Sequence, residues 1–291
     1  MRISEVRSQI LDFARCNENI RLVVETGAFA REFPPADELS DLDIEFYALN
    51  PRILLESRDW ISQFGAILIC LELENNGFNP TRLVIYESGA KVDFSIYDAA
   101  LLEKGFRSPA QNRGCIVHFD CDGWTQNWQQ IGPEQIQKPD EKVWRALIDD
   151  FWLDFYNQAK YLARGDGWTA KLLDAEIKNY VLQMLEWHAS AKNGADVWHL
   201  GHHMKSWTDA ATYKEIGEIF ADFEVCNSWR ALLKTGALFS RLARNRRDLG
   251  TASSRRSRNE NFKSRPPNES ALTCAFGIVF EPSDQNRGDH F

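Results

Sequence analysis

No apolar run in this sequence approaches the ~18 residues that a membrane helix needs. Polar residues Arg2, Glu5, Arg7 and Asp12 interrupt the first segment, so no leader is expected. The six cysteines, at 16, 70, 115, 121, 226 and 274, are scattered and make no Cys-x-x-Cys. That excludes a disulfide framework and points to reduced thiols in a cytoplasmic protein. Cys115, His118 and Cys121 match no standard zinc spacing. There is no internal repeat. A basic excess is missing too, with 34 Lys+Arg against 42 Asp+Glu and a formal net charge of −8. No nucleic-acid partner is expected, because phosphate binding needs clustered Lys and Arg. An acidic surface instead attracts a cationic ligand.

What is present is a globular composition, 44% hydrophobic and 26% charged, and 291 residues suffice for two domains. The charge is uneven. Residues 1–240 hold 24 basic and 36 acidic side chains, whereas residues 241–291 hold 10 and 6. Ile3–Ala14 has helical spacing. Ile20–Glu25, Leu39–Leu49, Ile67–Leu73, Arg82–Tyr86, Lys91–Tyr97 and Cys115–Phe119 read as strands. Pro51 opens a helix that runs through Trp60 to Phe64. From Lys138 the pattern turns helical, with Asp140 as a cap. Four apolar series follow: Val143 to Ala159, Leu172 to Trp187, Ile216 to Phe223, and Trp229 to Leu242. The expected class is α+β, a mixed sheet with helices followed by a helical bundle. The expected domains are 1–137 and 138–250. Residues 251–291, polar and interrupted by Pro266-Pro267, read as a disordered or atypical tail.

The chemistry gathers around Gly27-Ala28 and Asp41-Leu42-Asp43. Strand side chains alternate, so Asp41 and Asp43 project from one face. Two carboxylates on one face can share divalent cations held by hard oxygen ligands. Asp93, flanked by core-facing Val92 and Phe94, supplies a third. Such a cluster is repulsive unless cations neutralise it. With Mg²⁺ and a nucleoside triphosphate it becomes a phosphoryl-transfer site. The glycine after the first strand lets backbone N–H groups approach phosphates.

These residues resemble the nucleotidyltransferase superfamily to which DNA polymerase β belongs. One branch matches further. Ser40-Asp-Leu-Asp-Ile44, Trp60-Ile-Ser-Gln-Phe-Gly65, Lys91-Val-Asp-Phe-Ser95, Phe151-Trp152, Trp168-Thr-Ala-Lys171 and Leu182-Gln-Met-Leu-Glu-Trp187 are similar to the aminoglycoside 6-adenylyltransferases, or streptomycin adenylyltransferases. The resemblance covers roughly residues 1–247. It implies a polymerase β-like first domain and transfer of AMP from ATP to an aminoglycoside hydroxyl. It also implies Asp41 and Asp43 as metal ligands, and Asp93 as a third ligand or as the base. Gly27 and Ala28 would line the triphosphate, with Arg31 facing phosphate. Where the family has Gly-Ser, this chain has Gly27-Ala28, which removes one phosphate hydrogen bond worth about 0.5–1.5 kcal/mol.

A polycationic acceptor needs carboxylates. Asp150, Asp174 and Glu176 are the candidates, and Lys171 is placed to offset phosphate charge. Histidines 188, 199, 202 and 203 read as a polar inter-helix region. Trp144, Trp152, Trp168, Trp187 and Trp229 read as core. Trp124 and Trp128, in a polar loop, are able to stack on a base or sugar ring. Other classes remain open here: a nucleotidyltransferase acting on a protein or RNA, and a nucleotide-binding relative without turnover. Monomer and dimer are equally compatible.

Overall fold

A computed structural model describes residues 3–73, 80–133, 136–193 and 197–244. The chain divides into two compact units, Met1–Glu134 and Gln135–Phe291. The tail expectation for 251–291 lies outside the described residues.

The first unit opens with helix α1 (Ile3–Arg15), whose buried Val6, Ile10, Leu11 and Ala14 recur at helical spacing. Six strands follow: β1 (Ile20–Thr26), β2 (Leu42–Ala48), β3 (Ile67–Leu73), β4 (Thr81–Tyr86), β5 (Lys91–Asp98) and β6 (Ile116–Asp120). Short helices α2 (Arg52–Leu55), α3 (Asp59–Ser62) and α4 (Ala100–Glu103) lie between them. The sheet order is β3-β4-β5-β2-β1-β6. Only the β2–β5 pair is parallel, so the sheet is mixed.

Alternation sorts the two central strands. Leu42, Ile44, Phe46, Val92, Phe94 and Ile96 pack in one core with α1 residues and Trp60. The opposite face carries Asp43, Glu45 and Tyr47 on β2, and Asp93, Ser95 and Tyr97 on β5. Tyr47 and Tyr97 stack there, 4.9 Å between ring centroids, and close a smaller core with Leu22 and Val24. The polar end of that face holds the carboxylates.

The second unit consists of α5 (Glu141–Ala163), α6 (Gly167–Asn193), α7 (Met204–Trp207), α8 (Ala210–Glu218) and α9 (Val225–Arg244). Asp140 caps α5, accepting from Val143 N–H at 2.8 Å. Phe151 of α5 and Phe239 of α9 stack at 3.6 Å. Burying each contributes about 1.5–3 kcal/mol. Gly236 leaves room for the neighbouring Phe155 ring, since a Cβ there would lie 2.8 Å from it. Among the described residues, no helix is long and apolar enough to cross a membrane.

Local hydrogen bonds changed several expected boundaries. The second strand starts at Leu42 rather than Leu39, because Asp37 Oδ1 accepts from Leu39 N–H at 3.0 Å and holds a turn. The helix expected from Pro51 to Phe64 breaks into α2 and α3. Ser57 Oγ accepts from Asp59 N–H at 3.0 Å and starts the second piece. The third apolar series ends early, because α8 stops at Glu218 and leaves Phe220 and Phe223 exposed. Trp144, Trp187 and Trp229 are buried, but Trp168 is 74% exposed at the start of α6, not core.

Candidate active site

β1 ends at Thr26 and the chain turns sharply at Gly27, whose φ is +68°. A Cβ at Gly27 would lie 1.9 Å from Asp43 Oδ2. The turn therefore requires glycine twice over: for the left-handed backbone and for the room beside a carboxylate. Ala28 follows in a short 3₁₀ turn, Gly27–Ala30.

Asp43 pairs with Thr26 across the β1–β2 ladder and with Asp93 across the parallel β2–β5 ladder. Asp41 lies one residue before β2. Sequence reasoning placed Asp41, Asp43 and Asp93 together, and the sheet brings them together. Lys91, which carried no role in the sequence reading, donates to Asp41 Oδ2 at 2.5 Å and to Asp93 Oδ2 at 3.0 Å. Its signal was available: it sits two residues before Asp93 on a strand, hence on the same face.

The carboxylates are not at rest. Burial first, then the Asp93 and Asp41 charges, push the Asp43 carboxyl up to about 6. Burial also raises Asp93. Asp93 Oδ1 is buried without a hydrogen-bond partner. Among the described residues, no three His, Cys, Asp or Glu side chains close into a metal-binding group. The donor set nevertheless fits a hard divalent cation: the ligands are oxygens, and a positive charge relieves both the like-charge repulsion and the unpaired oxygen.

Arg31 lies near enough to Asp43 to favour its ionised form, and its Nε donates to the Pro34 carbonyl at 2.9 Å. Deeper along the same face, Glu45 is 2% exposed. Its Oε2 accepts from Gln111 Nε2 at 2.6 Å and from the Tyr47 hydroxyl at 3.1 Å. His118, set aside as a zinc ligand, instead meets buried Glu25 at 2.7 Å.

The other four candidates lie in the helical unit. Asp174 is bound by Lys178 at 2.7 Å and by Gln158 Nε2 at 3.0 Å. Lys171 donates to the Ala221 carbonyl at 3.0 Å. Both are engaged within the unit. Asp150 and Glu176 are exposed and act electrostatically on Tyr180, whose hydroxyl donates to Asp154 at 3.1 Å. Burial, Asp154, Asp150 and Glu176 together push the Tyr180 hydroxyl up to about 12. Asp154 and Tyr180 were not among the sequence candidates. They sit 26 residues apart on different helices, and no local pattern joins them.

A mixed sheet with paired aspartates behind a glycine turn, and a third aspartate on the facing strand, defines a nucleotidyltransferase. The chain belongs to the streptomycin adenylyltransferase family, whose model matches residues 1–260. It is 25% identical over 257 residues to the aminoglycoside 6-adenylyltransferase of Bacillus subtilis (strain 168), covering 82% of this chain and 88% of the relative. It is 22% identical over 201 residues to an aminoglycoside 6-adenylyltransferase of Campylobacter jejuni, covering 65% and 68%. The crystal structure of the Bacillus subtilis aminoglycoside 6-adenyltransferase aligns with a TM-score of 0.40 at 20% identity, over 87% of this chain and 93% of that one.

Proposed function

We propose that the protein transfers AMP from ATP to a hydroxyl of an aminoglycoside such as streptomycin, in the presence of Mg²⁺, and so confers resistance to the drug. The observation that carries this reading is the facing of Asp43 and Asp93 across β2–β5 behind Gly27, in a chain of this family. Asp41 and Asp43 would hold the cation, which supplies charge neutralisation for the triphosphate and the departing pyrophosphate.

The chain's own residues do the rest. The Gly27-Ala28 backbone leaves room for the triphosphate, and Arg31 faces its charge. Asp93 accepts the acceptor's proton. The acceptor oxygen bonds to the α-phosphorus as the bond to pyrophosphate breaks. Lys91, donating to Oδ2, favours the ionised form of Asp93 against the effect of burial. Asp150 and Glu176, exposed beside Asp154 and Tyr180, attract the cationic drug. Asp174 and Lys171 support them by holding the helices.

Ala28, where the family has serine, favours a second reading: nucleotide binding without turnover. One assay separates the two. Purified protein with ATP, Mg²⁺ and an aminoglycoside panel is expected to release pyrophosphate and yield drug heavier by one AMP. ATP binding without pyrophosphate release on any panel member supports the second reading and ends the first.

A further inference from the structure

A second cluster of charge lies behind the sheet. Thr26 stands opposite Asp43 in the β1–β2 ladder, so Glu25, one residue earlier, projects from the face away from the carboxylates. It is 1% exposed. Arg7 of α1 donates from Nη2 to Glu25 Oε1 at 2.7 Å. His118 Nε2, from β6, lies 2.7 Å from Glu25 Oε2. One buried carboxylate thus ties together a helix and two strands. The Arg7 guanidinium also sits over the Phe29 ring, 4.5 Å from its centroid. Phe29 is the third residue of the Gly27–Ala30 turn, and it packs against the same core as Ile10 and Val23.

The cluster is a costly way to fill space. A carboxylate taken out of water is compensated only by well-placed partners, and apolar side chains would occupy the same volume at least as favourably. What apolar side chains lack is direction. A guanidinium held by Glu25 presents a fixed plane, and the Phe29 ring lies under that plane. On its other side the turn meets Gly114, where a Cβ would lie 2.4 Å from the Ala30 carbonyl oxygen. The turn is therefore held at Phe29 and at Ala30, and its Gly27 end abuts Asp43.

We propose that Arg7 is a positioning residue for nucleotidyl transfer. Held by Glu25, it seats Phe29 and so fixes the Gly27–Ala30 turn against Asp43 from the opposite face of the sheet. The proposal rests on the adenylyl-transfer reading, in which that turn lines the triphosphate, and adds what holds the turn in place. His118 keeps Glu25 aimed at Arg7. Arg7 acts only through Phe29, so breaking either link releases the same turn.

The test is equilibrium titration of full-length variants with Mg²⁺-ATP, beside a transfer assay and a thermal melt. Arg7→Met, which keeps the apolar stem, is expected to weaken ATP binding about fivefold and to leave the aminoglycoside KM unchanged. Arg7→Lys should restore most of that loss. Phe29→Leu should match Arg7→Met, whereas Phe29→Tyr, which keeps the ring, should bind ATP as wild type does. The double variant Arg7→Met/Phe29→Leu decides whether the two act in series. It should remain about fivefold weakened, where independent effects would multiply to about 25-fold. If Arg7→Met unfolds, the Phe29→Leu and Phe29→Tyr pair reads the same contact. Lower melting temperatures with wild-type ATP affinity overturn the proposal, as does a multiplicative loss in the double variant. ATP binding that depends on Arg7 and Phe29 without transfer to any aminoglycoside ends the proposed function and leaves the positioning role standing. Transfer with an ATP affinity indifferent to both residues does the reverse.

Discussion

In the helical unit, Asp174 meets Lys178 at 2.7 Å and Gln158 at 3.0 Å, and Lys178 reaches the Thr235 hydroxyl at 3.1 Å. Its buried charge has partners from its own neighbourhood. In the sheet unit, Asp43 stands beside two other carboxylates with its pKa pushed up to about 6, and Asp93 keeps a buried oxygen without a partner. Both units bury polar groups, but Asp174 is paired with a cation, whereas Asp43 is buried beside two like charges. A fold that satisfies itself has no need of a ligand at such a point. One that gathers repelling carboxylates and an unpaired oxygen is arranged for a cation and a substrate from outside.

The largest expected effect tests that contrast directly. Asp43→Asn should lower the rate of nucleotidyl transfer on the order of 1,000-fold while leaving the circular dichroism spectrum intact. Activity retained within a few-fold would break the comparison, because Asp43 would then be as structural as Asp174. Gly27→Ala should follow, with transfer reduced about 100-fold and a lower melting temperature. Its methyl group must displace Asp43 Oδ2 from a 1.9 Å approach and occupy a backbone position at φ +68°. Kinetics together with a thermal melt check it.

Asp174→Asn should act the other way round. Lys178 would remain largely buried without its charge partner, costing about 3 kcal/mol of stability by chemical denaturation. The KM values of the folded fraction should stay near wild type. A selective rise in the aminoglycoside KM at unchanged stability would move Asp174 into the acceptor site.

The pH dependence sharpens the same contrast. The folded pKa of Asp43 lies above the ordinary aspartate value of 3.8, so the native state holds its proton more tightly than the unfolded chain. In metal-free protein, this contribution to stability is full below about pH 4 and is lost as pH rises through about 6. The loss is on the order of 3 kcal/mol. Asp43→Asn should therefore be the more stable protein in chelator at pH 7, and the difference should vanish near pH 4. Mg²⁺ should narrow it at pH 7. Differential scanning fluorimetry across that range decides the matter. The smallest effect belongs to the exposed pair. Asp150→Asn and Glu176→Gln should each raise the aminoglycoside KM about fivefold and leave the ATP KM unchanged.

Much of this architecture was legible without coordinates. Alternation put Asp41, Asp43 and Asp93 on strand faces opposite Leu42 and Phe94. A glycine after a β-branched strand marked the turn, and the switch to helical period near 138 marked the second unit. These signals are local: a strand repeats every two residues and a helix about every 3.6. The Asp174–Lys178 pair was legible by the same rule, because residues four apart on a helix are neighbours.

Tertiary structure alone decided the rest. It set Asp43 opposite Asp93 through a parallel pairing between strands about fifty residues apart. It carried Arg7 and His118 to one buried carboxylate from α1 and β6. It joined Glu45 to Gln111, 66 positions away. It set Tyr180 among Asp150, Asp154 and Glu176. A sequence displays period and turn chemistry because those depend on neighbours along the chain. Burial, register and the field at a carboxylate depend on neighbours through space, and those exist only once the sheet and the helices have closed.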